Sequence, residues 1–137
     1  LLMNRLEGQI STELDEETKK FFKRGGRSRS IYEANTNFKL EKDGNWKSVT
    51  KEDLIEMCEK FEKQGEEIHL AEKVPQNIAI FDRKIVFTSF VDETKTKNKR
   101  TDLIVRNRNY AEYMVSLFEL NWKSSESVEE FKKKLNN

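Results

Sequence analysis

The chain has 137 residues, of which 35% are hydrophobic and 37% charged, enough for one domain with a modest core. Its 26 basic and 25 acidic residues give a net charge of +1, and this balance excludes a broadly basic surface for non-specific binding to nucleic acid or membranes. One cysteine, Cys58, excludes an internal disulfide, and with a single histidine, His69, we expect no metal site and no cofactor.

The hydropathy pattern argues against a membrane protein. Every apolar run falls short of the ~20 residues that a membrane-spanning helix needs, and the chain shows no signal peptide. We therefore expect no membrane contact and a cytoplasmic location. Because the chain opens with Leu1-Leu2-Met3 rather than with methionine, we also expect it to be a fragment of a longer protein.

The first segment, residues 1–24, is predicted to be a connecting or dimerisation helix. Its apolar residues recur at steps of three, four and seven, as on one helix face. They are Met3, Leu6, Ile10, Leu14 and Phe21. A short coiled-coil arm is the alternative. Gly25-Gly26 is predicted to end the helix, because glycine adopts the left-handed cap conformation without steric cost.

Residues 27–33 are predicted to form the first strand, with basic residues at alternate positions. Arg27, Arg29, Ile31 and Glu33 would share one face of it. Two interpretations remain open for the arginines. They pair with carboxylates on covering helices, or Arg29 or Arg27 faces a pocket and binds an anion.

A polar excursion over residues 34–49 is predicted to fold back on the domain. Asp43-Gly44 suggests a turn, and Trp46 is interpreted as a packing anchor. Thr50, with Asp53 three residues on, then predicts a capped second helix that Gly65 ends. Its apolar stripe includes Cys58, which we interpret as a core residue rather than a nucleophile.

Residues 66–70 are predicted to form a second strand. A helix lies between it and the first strand, so the two are expected to pair in parallel. His69 lies in this strand, either as a pocket residue or as a satisfied structural histidine.

The most apolar stretch, Val74–Phe90, is predicted to be the buried spine of the sheet. It is rich in β-branched and aromatic residues, and Asp82-Arg83 breaks it into a hairpin. A nearly continuous apolar strand is typical of burial on both faces.

Past this hairpin we expect a solvated loop at Asp92–Arg100 and a strand at Asp102–Arg106. Asn107 or Asn109 would cap a helix with one apolar face. That face carries Ala111, Met114, Val115, Phe118 and Trp122. Ser127 with Glu130 would cap a last helix, within a C-terminal segment at 124–137.

General catalytic motifs do not occur in the sequence. It has no glycine-rich phosphate loop, no Gly-x-Ser-x-Gly, no His-Glu-x-x-His and no Cys-x-x-Cys. The order of elements nevertheless resembles a phospholipase D-like half-domain over roughly residues 15–123. The resemblance rests on a helix, a Gly-Gly-Arg strand, a helix, a Gly-Glu-Glu-Ile strand, a Pro-x-Asn-Ile-x-Ile-x-Asp hairpin and a terminal Phe-Glu-Leu-Asn-Trp.

The catalytic signature of that family is His, any residue, Lys, any four residues, then Asp. With the aspartate on Asp82, Pro75 takes the histidine position and Asn77 the lysine position. The later Gly-Ser pair falls near Thr88-Ser89. The resemblance implies phosphodiester chemistry that uses two histidines and a lysine, so we expect that activity to be lost here.

Domains of this kind also form the C-terminal effector part of TrmB-like helix-turn-helix transcription regulators. The resemblance therefore implies an α/β domain at 25–123, with a mixed sheet flanked by helices, that senses a ligand or dimerises as a homodimer. DNA would bind only through a domain outside this chain. The expected ligand-lining residues are Arg29, Glu33, His69, Asn77 and Arg106. The alternatives are a phosphodiesterase completed by dimerisation and a protein-interaction module without a small ligand.

Overall fold

A computed structural model of the chain describes residues 1–91 and 100–137. Within these ranges it contains ten strands and four helices. In chain order they are β1 (Leu2–Asn4), β2 (Gly8–Ile10), α1 (Glu16–Lys23), β3 (Ser28–Glu33), β4 (Phe38–Lys42), β5 (Asn45–Ser48), α2 (Lys51–Lys63), β6 (Glu66–Ala71), β7 (Asn77–Phe81), β8 (Ile85–Val91), β9 (Arg100–Arg106), α3 (Arg108–Ser124), β10 (Glu126–Ser127) and α4 (Val128–Leu135).

Seven strands form one mixed sheet in the order β10-β6-β3-β1-β7-β8-β9. β3 is parallel to both β1 and β6, whereas the remaining neighbours pair antiparallel. The parallel pairing of the first two predicted strands is confirmed, and so is the mixed α/β class. A second, three-stranded sheet of β2, β4 and β5 follows the order β2-β4-β5.

The prediction of one helix over residues 1–24 is wrong. Only Glu16–Lys23 is helical, and β1 lies inside the large sheet between β3 and β7. Met3 and Leu6 are 3% and 2% exposed, so they pack in the protein's own core rather than lining a helical stripe for a partner. Backbone pairing with two neighbouring strands outweighs the helical spacing of these residues. The end of α1 at Gly25, which has φ 87°, agrees with the prediction.

Local capping signals are confirmed. Thr50 and Asp53 form a reciprocal capping box at the start of α2, and Asn107 rather than Asn109 caps α3. The Ser127 hydroxyl accepts from the Glu130 backbone N–H at the start of α4. These contacts satisfy N–H groups that a helix start leaves without partners.

Two cores lie on the two faces of the large sheet. On one face, α2, α4 and part of the second sheet pack around Leu54, Cys58 and Leu70. On the other face, α3 packs around Ile31, Val86 and Phe118. α4 thus shares a core with α2 and β6. Among the described residues no helix is long and apolar enough to cross a membrane.

The predicted hairpin at Val74–Phe90 is present, but it is not buried on both faces. Ile78, Ile80 and Val86 are buried on the α3 side, whereas Phe81 on the other side is 55% exposed. Trp46, interpreted as a packing anchor, is 41% exposed in β5. The predicted loop after the hairpin, apart from Arg100, falls outside the described residues.

Candidate functional site

Arg29 is the centre of a polar and aromatic group that we call the Arg29 cluster (Arg29, Glu67, His69, Glu119, Trp122 and Ser125). Its guanidinium donates from Nη1 and Nη2 to the two carboxylate oxygens of Glu119 on α3, at 2.6 and 3.0 Å. Its Nε lies 4.0 Å from an oxygen of Glu67 on β6. The Arg29 side chain is only 20% exposed. A planar fork bound by both oxygens of a carboxylate is the strongest form of this ion pair.

Aromatic rings complete the Arg29 cluster. The guanidinium carbon lies 4.5 Å from the ring centre of Trp122 and 5.1 Å from that of Phe118. Trp122 in turn stacks on His69, with ring centres 3.5 Å apart and planes 10° from parallel. These contacts keep the cation over π faces and shield it from water.

The ion pair changes the acid–base properties of both partners. The hydrogen bond with Glu119 raises the pKa of Arg29, and the hydrogen bond with Arg29 lowers the pKa of Glu119. The interpretation that Arg29 pairs with a carboxylate on a covering helix is confirmed. Arg27 pairs instead with Glu67 on the neighbouring strand, at 3.1 Å. An anion at Arg29 would have to compete with Glu119.

His69 is a partly buried member of the Arg29 cluster. Its Nδ1 lies 2.8 Å from the Ser125 hydroxyl and 3.3 Å from the Trp122 carbonyl oxygen. Since a carbonyl oxygen only accepts, this contact assigns the proton of the neutral ring to Nδ1. Burial lowers the pKa of His69 and outweighs the hydrogen bond to the Trp122 carbonyl oxygen, which acts in the opposite direction. The lowered pKa favours the neutral ring.

A second polar group, the motif network (Arg5, Glu33, Asn35, Pro75 and Asn77), surrounds the positions aligned with the catalytic histidine and lysine. The Asn77 side-chain oxygen accepts from the Arg5 backbone N–H at 2.8 Å. The Arg5 guanidinium donates to the Val74 carbonyl oxygen at 2.9 Å and to that of Pro75. The loop after β1 is thus hydrogen-bonded to both positions, and Pro75 stays exposed.

Glu33 and Asn35 hold the other side of the motif network. Glu33 accepts from the Val74 backbone N–H at 2.8 Å and from the Asn35 amide at 3.3 Å. The same amide donates to the Arg5 carbonyl oxygen. These hydrogen bonds connect the end of β3 to the loop before β7, so the Glu33 carboxylate already has the Val74 backbone N–H as a partner.

Asp82, aligned with the signature aspartate, lies in the hairpin turn at the far end of β7 from Asn77. Asp82 and Arg83 have φ of 52° and 56°, and the Lys84 N–H donates to the Phe81 carbonyl oxygen at 3.0 Å. Positive φ at both central residues is the requirement of a type I′ hairpin turn. Asp82 is exposed and serves as a turn residue.

The five predicted ligand-lining residues lie in three places. Arg29 and His69 belong to the Arg29 cluster, Glu33 and Asn77 to the motif network, and Arg106 is exposed on β9. The strand order separates His69 from Asn77 by three strand spacings, roughly 14 Å. Binding of a ligand by any of them stays a prediction. Among the described residues no group of three or more His, Cys, Asp or Glu could hold a metal ion.

Sequence reasoning missed Arg5, Asn35, Glu119 and Ser125 as members of these groups. Arg5 was missed because residues 1–24 were predicted to form a helix, whereas Arg5 lies in the loop after β1. Glu119 belongs to the Phe-Glu-Leu-Asn-Trp segment of the resemblance, which offered a signal, but its partner Arg29 is 90 residues away. No local pattern could join them.

Comparison with known proteins supports the fold only. No protein-family model and no curated protein matches the chain. The structure is similar to that of TrmBL2, described as an archaeal chromatin protein with a novel mode of DNA binding, at a TM-score of 0.57 and 13% identity, over 91% of this chain and 45% of that one. It is also similar to Nuc from Salmonella typhimurium, a phospholipase D family member, at a TM-score of 0.52 and 15% identity, over 90% of this chain and 82% of that one.

At these identities the likeness establishes a phospholipase D-like α/β fold, as the sequence resemblance predicted. The chain spans less than half the length of TrmBL2.

Proposed function

We propose that this chain is a catalytically inactive, phospholipase D-like effector domain of a TrmB-like transcription regulator. It acts as a cytoplasmic homodimer and responds to a small-molecule effector. The observation that supports the proposal is the hydrogen-bonded motif network, in which Arg5 binds Pro75 and Asn77, the residues that the sequence alignment sets at the histidine and lysine positions of the signature. Proline has no ionisable side chain, so it supplies neither a nucleophile nor an acid.

The regulatory part of the proposal is supported by the likeness to TrmBL2. This chain covers 45% of that protein, which leaves room for a separate DNA-binding part. A net charge of +1 supports DNA contact through such a part rather than through this domain. In gel-shift assays the chain alone is expected not to bind duplex DNA at physiological salt, and tight binding would contradict this assignment.

The runner-up is a phosphodiesterase completed by dimerisation, as the likeness to Nuc suggests. His69 is the only histidine in the sequence, and it is held in the Arg29 cluster by Trp122 and Ser125. A dimer would bring together two copies of this same stacked ring. Neither copy would stand at the aligned position of Pro75.

Hydrolysis of bis(p-nitrophenyl) phosphate by the purified protein tests the loss of catalysis. We expect no rate above that of a buffer blank, and the same result for the His69→Ala variant, which serves as the matched control. Hydrolysis by the wild type that disappears in His69→Ala would overturn the proposal and favour the phosphodiesterase.

A thermal-shift screen with sugars, nucleotides and simple anions tests ligand sensing. A ligand at a hundredfold excess over its Kd should stabilise the folded state by about 2.7 kcal/mol, and therefore raise the Tm. A dose-dependent rise supports a sensor. A flat response across the screen favours a protein-interaction module instead.

A further inference from the structure

One face of the β7-β8-β9 end of the large sheet carries apolar side chains that pack in neither core. The strand register aligns three rows across it. They are Ala79–Phe87–Ile104, Phe81–Ile85–Arg106 and Asn77–Ser89–Asp102. We call these three rows the open face. It lies opposite α3, because Ile78, Ile80 and Val86 alternate with it and pack on the α3 side.

The apolar residues of the open face are exposed or half-buried. Phe81 and Ile104 are 55% and 52% exposed, and Phe87 and Ile85 are half-buried. The helices on this side of the sheet, α2 and α4, pack mainly on β6 at the opposite end, and within the described ranges neither packs extensively on β7, β8 or β9. An exposed apolar sheet face of this kind marks an interaction surface.

The charges on the open face of one copy are complementary to those of a second copy whose strands run in the opposite direction. Asp102, Ile104 and Arg106 alternate along β9 and so point to the same side, with opposite charges on either side of an isoleucine. Turning a second copy so that its strands run in the opposite direction brings the partner's Arg106 over Asp102, and Ile104 over its own counterpart. Only a second copy of this chain is guaranteed to present that pattern.

We propose that the open face is the homodimer interface. The two sheets pack face to face about a two-fold axis that lies between them. The axis is parallel to the sheets and perpendicular to the strands, and it runs along the Ala79–Phe87–Ile104 row. Phe87 and Ile104 fill the roughly 10 Å between aligned sheets, and Asp102 and Arg106 form two symmetry-related ion pairs at the rim. This inference deepens the proposed function, because it rests on the homodimer and names its surface.

The size of the open face sets the strength of the dimer. Three strands at ~4.8 Å spacing and five residues at ~3.4 Å give a footprint of roughly 245 Å². A stable interface buries about 800 Å² on each partner, so this domain alone should dimerise weakly. Self-association must therefore be measured up to about 0.5 mM protein.

Analytical ultracentrifugation of matched lysine variants tests the surface. Ile104→Lys replaces an exposed residue of the open face, and Leu120→Lys replaces a residue 64% exposed on the outer side of α3. We expect the wild type and Leu120→Lys to dimerise equally, and Ile104→Lys to raise the dissociation constant at least about tenfold. Circular dichroism checks that both variants fold. A wild type that stays monomeric, or an Ile104→Lys variant that dimerises normally, overturns the inference.

A charge swap tests the orientation of the two copies. Asp102→Arg would face the partner's Arg106, and Arg106→Asp would face the partner's Asp102, so each single variant is expected to weaken the dimer about tenfold. The double variant Asp102→Arg/Arg106→Asp restores opposite charges and is expected to recover the wild-type dissociation constant. Failure of the double variant to recover rejects the proposed axis.

The experiments can reject the dimer interface and the ligand-sensing function independently of each other. A ligand that raises the Tm of a strictly monomeric protein would retain the sensor and reject the open face. A dimer that the lysine and charge variants control, without any response to ligands, would retain the interface and reject sensing.

Discussion

At the scale of single residues, Arg29 illustrates how one strand residue links several elements. Its guanidinium is held by Glu119 from α3 and lies over Trp122, which stacks on His69 from β6. A lysine could keep the charge but not the two-pronged hydrogen bond or the flat stacking. The arginine is thus a connector of the sheet to α3.

We expect His69 to make the free energy of unfolding depend on pH. Burial lowers its pKa from 6.5, so below that pH the unfolded chain binds a proton that the folded protein resists. We expect the free energy of unfolding to fall as the pH decreases from 7 toward 5, and His69→Gln to reduce this dependence. Urea denaturation at several pH values measures it.

His69 is the only histidine in the chain, so the comparison between wild type and variant is direct. The ordinary pKa values of carboxyl groups lie near 4, which places most of their titration below this window. Equal pH dependence in the two proteins would contradict a lowered pKa of His69.

At the scale of elements, β1 shows how a very short strand can hold a sheet together. It has three residues, yet it joins β3 to β7 and thereby connects the two halves of the large sheet. Met3 at its centre is 3% exposed and packs with Ile31 and Ile78. A strand that is hydrogen-bonded on both sides needs little intrinsic preference of its own.

Removal of β1 is expected to abolish cooperative folding. Deleting residues 1–4 leaves facing edges of β3 and β7 without partners, whereas Met3→Ala keeps the backbone pairing and should cost about 2–5 kcal/mol. Circular dichroism with urea denaturation measures both. Deleting residues 136–137, which follow α4, is the control and should change little. A cooperative transition in the variant lacking residues 1–4 would reject the central role of β1.

At the scale of the whole molecule, two cores share one sheet. Leu54 represents the α2 and α4 side and Val115 the α3 side, with exposures of 1% and 3%. β3 contributes Tyr32 to one core and Ile31 to the other. Loss of either core exposes apolar residues of the same strands, so the two cores should unfold together.

A single unfolding transition is therefore expected. Leu54→Ala should destabilise by about 2–5 kcal/mol, Val115→Ala by somewhat less, and each should shift the transitions seen by far-UV circular dichroism and tryptophan fluorescence together. Trp46→Phe, at an exposed position, leaves Trp122 as the reporter on the α3 side. Two separated transitions in either core variant would show that the cores unfold independently.

The sequence by itself determined the features that depend on neighbouring residues. Thr50, Asn107 and Ser127 cap their helices within three residues, and Asp82-Arg83 turns a hairpin between adjacent strands. Because the contacting residues lie close together in the chain, the sequence pattern predicts these contacts. The order of such elements also indicated the mixed α/β fold.

Only the tertiary structure decided how distant segments meet. The start of the chain became β1 because β3 and β7 lie on either side of it, and Arg29 met Glu119 across 90 residues. The apolar hairpin likewise buries only the face that packs against α3, since α2 and α4 pack at the other end of the sheet. Which residues are buried, and which distant residues pair, depends on the packing of the whole molecule, and a local sequence pattern does not contain that information.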